Sequence, residues 1–506
     1  MLRDPPPSIW TRRIGGVARL NDVTTDVPGG STGVSGGPTA VPRAPQPHRV
    51  AVVGGGFAGL YAARNLGIDP EVRLTLVDRR NFHLFQPLLY QVATGALSPG
   101  DIAQPLRSVL RKQRNTTVIL GRAIGFDPDR GEVLIADGGP IAYDTLIVAT
   151  GAHHSYFDHP EWAALAPGLK TIEDATEMRR RILIAFEAAE READPARRRE
   201  WMTFVVVGGG PTGVELAGAL GEISHDTLRR DFRAIRPNEA RIILVEALDR
   251  ILPPYPPGQS RSAQRQLERL GVEVRTSTRV VDIDDRSARV TTADGTENEI
   301  PARTVLWAAG VQASSFARIV ASALGAETDR AGRIVVGPDL TVPGHPEVFV
   351  VGDAAVQPWK DGKPVPGVAQ GAIQSGSYAA RVIRRRVLGR PYPSFQYRDK
   401  GDVAVIGRLS GVTNIGWLGP FGRQSGFIAW ALWLGIHIVY LIGFANRLVV
   451  LIRWAWSFLT HGRGTRLITG SQLLPPIEEP EPPVLAPLEP GDVPDSTTGE
   501  AQDRAS

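Results

Sequence analysis

The chain has 506 residues, 22% of them charged, with 55 glycines, 41 prolines and no cysteine. At roughly 100–200 residues per domain, that length suits about three domains whose cores need no covalent staples. The missing cysteine excludes disulfides, thiolate-held metals, cysteine-ligated iron–sulfur clusters and any cysteine nucleophile or redox pair. The net charge of +4 says little about partners: only five of the 57 basic residues are lysine, an arginine bias that does not point to nucleic acid. Residues 471–506 hold eight acids and one arginine, so the rest of the chain is basic. A basic body suits anionic lipid and equally an ordinary mixed surface.

In chain order, residues 1–47 are rich in Gly, Pro, Ser and Thr without apolar periodicity and are expected to be a disordered tail. No apolar run follows the N-terminal charges, so no secretory signal is expected. Arg49–Val53 (RVAVV) reads as a strand running into VVGGGFAG, then a helical pattern, then the strand Arg73–Val77. Thr176–Arg199 reads as a charged linking helix. Thr203–Val207 (TFVVV) starts a second such unit, through VVVGGGPTGVE to the strand Arg241–Val245. Asp144–Ala149, Thr304–Trp307 and Val348–Val351 return to strand character. This alternation predicts an α/β fold with two Rossmann-like dinucleotide-binding domains.

The C-terminal region is different. Phe427 to Ala445 carries no charge, and after Arg447 a second apolar run is interrupted by Arg453. Five of the ten tryptophans lie here: Trp417, Trp430, Trp433, Trp454 and Trp456. A buried core helix, a single spanning helix and a pair of amphipathic helices on one leaflet all fit. The short, arginine-broken second run favours the pair.

The glycines carry chemistry. Gly54, Gly56 and Gly59 have GxGxxG spacing, for a tight turn, a close approach to pyrophosphate and helix–strand packing respectively. The pyrophosphate would rest on the helix N-terminus. Asp78 ends the next strand, where a carboxylate can accept the ribose hydroxyls of an adenosine. Gly208, Gly210 and Gly213 repeat the pattern, with Glu246 in the matching role after a longer connection. Glu246 would repel a 2′-phosphate, which favours NADH over NADPH. Two nucleotide folds imply two nucleotides, and the commonest such pair is a bound FAD and a visiting NAD(P)H. LIVATGA (Leu146–Ala152) and VLWAAG (Val305–Gly310) are strands ending in small-residue turns. VFVVGDAA (Val348–Ala355) places Asp353 where it can bond the ribityl chain of FAD. The candidate cofactor-binding residues are Gly54, Gly55, Gly56, Phe57, Ala58, Gly59, Asp78, Arg79, Ala123, Thr150, Gly151, Asp353, Ala369, Gln370, Gly208, Gly210, Gly213, Glu246 and Gly310. The histidines, including His83, His153, His154 and His437, have no partners at metal-ligand spacing, so no metal is expected.

Together these signatures resemble the two-dinucleotide-fold disulfide oxidoreductases, although a chain without cysteine cannot run their flavin–disulfide relay. AQGAIQ, within Pro366–Gly376, matches the AQxAxQ pattern of type II NADH dehydrogenases, single-subunit NADH:quinone oxidoreductases that do not pump protons. FHLFQPLLYQVATG (Phe82–Gly95) and SGFIAWALWLGIHIVYLIGF (Ser425–Phe444) also look like that family, closest to its actinobacterial members, and the likeness spans about residues 48–470. It implies an FAD-binding domain of 48–175 with 326–400, an NADH-binding domain of 200–325, a membrane-binding region of 401–470 and a disordered acidic tail of 471–506. It also implies a quinone substrate, a homodimer, and attachment at the cytoplasmic face of the plasma membrane, peripheral or by a single span. Gln370 and Gln374 share a helix face and can bond a quinone carbonyl. The helix that begins there would aim its N-terminus at the flavin. Glu215, two residues past Gly213, would by resemblance lie near the nicotinamide, orienting NADH or relaying a proton. Its plainer reading is a carboxylate favoured by the helix dipole. Three rival functions are a sulfide:quinone oxidoreductase, disfavoured without cysteine, a reductase of a soluble electron carrier, and a flavin-binding membrane scaffold without turnover.

Overall fold

The computed structural model describes residues 46–460 and 464–469. The two expected tails, apart from Gln46 and Pro47, lie outside the described residues. Strand β1 (His48–Val53) is followed by helix α1 (Phe57–Leu66), β2 (Val72–Asp78), β3 (Thr116–Leu120) and β4 (Thr145–Val148). Helix α2 (Ile172–Arg191) leads into β5 (Thr203–Val207), α3 (Pro211–Glu222), β6 (Arg241–Val245), α4 (Pro257–Arg269), β7 (Val272–Arg275) and β8 (Thr304–Trp307). The chain then forms β9 (Thr341–Val342), β10 (His345–Val350) and α5 (Ala369–Val387). It closes with β11 (Asp402–Gly407), β12 (Ser410–Asn414), α6 (Phe427–Tyr440) and α7 (Phe444–Thr460).

Two sheets organise these elements. The first runs β9-β10-β4-β1-β2-β3, parallel except for the β9–β10 pair. The second runs β7-β6-β5-β8 and is parallel throughout. The central strands read as unbroken apolar runs because both their faces are covered: Val50–Val53 and all of β5 are buried. In each sheet the chain leaves the middle strand in opposite directions, so a crevice opens at the carboxyl ends, where nucleotides bind in such folds. A short antiparallel pair, Ala152–His154 with Val311–Ala313, ties the two units together beside those ends.

The C-terminal region packs on the second unit. Gly218 of α3 meets β11 so closely that a Cβ there would lie 1.8 Å from the Ile406 carbonyl oxygen. Helix α6 buries Ala429, Trp433 and His437, one stripe at i, i+4 and i+8, and leaves Ile428, Leu432, Ile436 and Val439 exposed. Of the three alternatives, the single span does not form among the described residues. The apolar run breaks at Leu441–Gly443, and no helix among the described residues is long and apolar enough to cross a membrane. At 14 residues, α6 is about 21 Å long, short of a bilayer core of about 30 Å. Arg453 turns inward to Asp101, at 3.3 Å, and Asn446 donates to the carbonyl of Asp101 at 3.0 Å. The charge that interrupts the second run therefore clasps α7 to the body.

Candidate active site: two glycine turns and a buried carboxyl

The two glycine turns are built alike. Gly54 (φ +107°) and Gly208 (φ +105°) adopt a backbone open to glycine. A Cβ on Gly59 would lie 1.8 Å from the Gly54 oxygen, and one on Gly213 would lie 1.8 Å from the Gly208 oxygen. These third glycines let each helix start against its own turn. At Gly56 and Gly210, by contrast, a Cβ would meet nothing within 4 Å. That open space lies at the N-termini of α1 and α3, where free N–H groups face outward and suit a pyrophosphate.

The acidic residues match in the same way. Gly55 N–H donates to Asp78 Oδ2 at 2.5 Å and Arg80 N–H to Oδ1 at 2.7 Å. Gly209 N–H donates to Glu246 Oε2 at 2.6 Å and Leu248 N–H to Oε1 at 2.8 Å. Each carboxylate keeps acceptor capacity on both oxygens for ribose hydroxyls. Burial raises the pKa of Asp78, partly offset by those two N–H groups.

The remaining candidates surround these turns. Phe57 and Ala58 are buried at the start of α1. Arg79 is exposed beside Asp78, and Ala123 is half-buried next to Gly121, whose N–H donates to the Asp78 carbonyl. Thr150 and Gly151 follow β4, and the Thr150 hydroxyl is 2.5 Å from that of Ser314. Gly310 follows β8 by three residues. Gly352 and Asp353 follow β10, and α5 crosses α1 so closely that a Cβ on Gly376 would lie 2.0 Å from the Ala58 oxygen. Ala369 opens α5 and is half-buried.

Sequence reasoning missed the groups that brace this frame. The Gly352 N–H donates to Ser375 Oγ at 3.1 Å, and Gln357 Nε2 donates to the Gly352 carbonyl at 3.0 Å. His83 Nδ1 bonds the Gly55 carbonyl at 3.0 Å and must therefore carry the proton. Burial lowers its pKa to about 4, so it is neutral, with Nε2 buried and unpartnered. His83 and Ser375 lie inside the family-like segments Phe82–Gly95 and Pro366–Gly376, but nothing in the sequence pairs them with Gly55 or Gly352.

The glutamines of AQGAIQ are partly occupied by the protein itself. Both do lie on one face of α5, but their amides already bond backbone. Gln370 Nε2 donates to the Gly401 carbonyl at 3.1 Å, and its Oε1 accepts from Lys400 N–H at 3.0 Å. Gln374 does the same with Arg398, at 2.9 Å each way. One N–H and one lone pair remain on each side chain for a ligand. The Lys400 ammonium continues to Tyr440 Oη of α6 at 2.8 Å.

Glu215 departs most from an ordinary helix-end carboxylate. It is buried under β11, with Val405 N–H 3.4 Å from its Oε1, and burial raises its pKa to about 8. The Trp433 indole N–H favours the charged form but closes no hydrogen bond. The carboxyl is therefore protonated at neutral pH, able to donate as well as accept.

Residues 48–376 match the pyridine nucleotide-disulphide oxidoreductase family. The type II NADH:quinone oxidoreductase NdhA of Mycobacterium tuberculosis is 46% identical over 447 residues, covering 87% of this chain and 92% of that protein. The chain belongs to the type II NADH:quinone oxidoreductases. A second M. tuberculosis member, Ndh, is 46% identical over 442 residues, covering 86% of this chain and 93% of its own. Among solved structures, Plasmodium falciparum NDH2 in complex with NADH superposes with a TM-score of 0.73 at 19% identity, over 81% of this chain and 98% of that one. That likeness extends the type II fold across both nucleotide units.

Proposed function

We propose that this chain is a membrane-associated flavoenzyme that oxidises NADH and reduces a quinone without moving protons across the bilayer. The observation that carries the reading is the pair of glycine turns, each with open space before a helix N-terminus and a carboxylate beside it. The first would hold FAD, through Gly54–Gly59, Asp78, Thr150, Gly151 and Asp353. The second would hold NADH, through Gly208, Gly210, Gly213, Glu246 and Gly310. FAD, when bound, supplies the redox chemistry, accepting a hydride and returning two electrons. The chain positions both nucleotides, and Glu215 holds a proton beside them. The free N–H of Gln370 or Gln374 would bond the quinone carbonyl.

Attachment rests on the outer face of the C-terminal region. Trp417, Phe421 and Leu459 are 72%, 82% and 75% exposed, in addition to the exposed apolar stripe of α6. A patch of this kind rimmed by tryptophan suits insertion into one leaflet. NADH supply places that leaflet on the cytoplasmic face. A homodimer belongs to the same reading. Anaerobic addition of NADH to purified protein should bleach a flavin spectrum, and a short-chain quinone should restore it. Bleaching without recovery would overturn the quinone assignment.

A further inference from the structure

Strand β8 ends beside the second glycine turn: a Cβ on Gly208 would lie 2.9 Å from the Ala309 nitrogen. The next residue, Gly310, meets the turn Ser155–Asp158, which follows the short strand Ala152–His154. Ser155 N–H donates to the Gly310 carbonyl at 3.3 Å, and the Trp307 indole N–H donates to the Ser155 carbonyl at 2.9 Å. Phe157 lies against Gly310 itself, since a Cβ there would come within 2.6 Å of Phe157 Cζ. Contact therefore runs from Gly208 through Ala309 and Gly310 to the Phe157 ring.

We infer that the Phe157 ring lines the NADH crevice and binds the dinucleotide by apolar contact where it passes Gly310. This rests on the reading that the second glycine turn holds NADH. Phe157 is a binding residue in this scheme: it adds affinity for the nucleotide and moves neither proton nor electron.

Exposure, backbone and support agree with that role. The ring is 59% exposed, although its neighbours Trp162 and Trp307 are buried. The backbone takes left-handed φ angles at two successive non-glycine residues, +48° at Phe157 and +72° at Asp158. A bulky side chain disfavours that region, and such conformations gather at ligand-binding sites. The turn is nonetheless fixed. Trp307 packs on Tyr156, Trp162 and Phe157, with ring centres 5.1, 5.7 and 6.2 Å away. Tyr156 Oη donates to the Ala166 carbonyl at 2.9 Å. A ring held in this way loses little freedom when a ligand covers it, so its burial is realised as affinity. The two units differ at this position. Gly151 follows β4 by three residues, as Gly310 follows β8, and has nearly the same φ, +65° against +67°. A Cβ on Gly151 would meet nothing within 4 Å, so the ring narrows the second crevice and leaves the first open.

The test uses FAD-loaded full-length protein. NAD⁺, which binds without reducing the flavin, is titrated by calorimetry, and anaerobic flavin reduction is timed by stopped flow across NADH concentrations. Phe157→Ala should raise the NAD⁺ Kd and the half-saturating NADH concentration roughly tenfold. The limiting rate of flavin reduction and the KM for a short-chain quinone should stay within about twofold. Phe157→Tyr should restore the affinity to near the wild-type value. Flavin absorbance per protein reports whether each variant is folded, and Phe157→Leu, expected to bind NAD⁺ more weakly than wild type, serves if Phe157→Ala does not fold. Wild-type NAD⁺ affinity in the folded variant would overturn the inference, as would loss of flavin from both Phe157→Ala and Phe157→Leu. Glu246→Ala separates the two layers: if it weakens NAD⁺ binding and Phe157→Ala does not, the second turn holds NADH and the ring lies outside its crevice. If neither variant changes NAD⁺ affinity, the placement of NADH at that turn falls and the inference with it.

Discussion

The two glycine turns share their backbone, their carboxylates and their open space, yet they differ at what surrounds them. At the first turn a buried imidazole, His83, holds the Gly55 carbonyl; at the second a backbone amide, Leu252 N–H, holds the Gly209 carbonyl. Two residues past the third glycine, the first helix has half-buried Tyr61 and the second has buried Glu215. Helix α1 is crossed by α5, whose Ser375 accepts from Gly352 N–H, whereas α3 is covered by β11. In the function proposed above, the shared parts would hold a dinucleotide at each turn. The differing parts set a braced first turn apart from a second turn with a titratable carboxyl beside it.

The largest expected effect tests that division. Gly59→Ala and Gly213→Ala place the same methyl 1.8 Å from a carbonyl oxygen, but Gly59→Ala should yield protein without flavin. Gly213→Ala should keep its flavin and lose most of its reduction by NADH. Flavin content and NADH-driven bleaching check both, and flavin loss from Gly213→Ala would erase the distinction.

Glu215→Gln should come next. The carboxyl titrates near 8 in the folded protein and near 4.5 when unfolded. Between those values the folded state binds more protons, so this group costs stability as pH rises through the window. Glu215→Gln should remove that loss, raising Tm at pH 9 by about 2 °C or more relative to wild type, with little change at pH 5. It should also abolish any alkaline limb near pH 8 in quinone-dependent turnover. An unchanged difference in Tm between pH 5 and pH 9 would contradict the burial.

Glu246→Ala should raise KM for NADH about tenfold and narrow the preference over NADPH, and steady-state kinetics with both nucleotides measures it. His83→Ala should be mildest. It leaves the Gly55 carbonyl without its buried donor, a cost of about 1–3 kcal/mol, read as a lower Tm with flavin binding weakened but present. Equal damage from His83→Ala and Gly59→Ala would mean the imidazole defines the first turn as much as its glycines do.

Much of this was legible from the residues alone, for a physical reason. Each glycine turn is closed within six residues, so its spacing encodes the left-handed backbone and the 1.8 Å contact directly. The strand runs are apolar because parallel strands are covered on both faces, and the family followed from AQGAIQ and its neighbours. Tertiary structure decided what depends on groups far apart in the chain. It buried Glu215 under β11. It occupied Gln370 and Gln374 with the backbone of residues 398–401, and turned Arg453 from a break in an apolar run into a partner for Asp101. Local periodicity records which face of an element is apolar. It does not record which distant carboxyl or carbonyl will meet that face, and the chemistry of this site depends on those meetings.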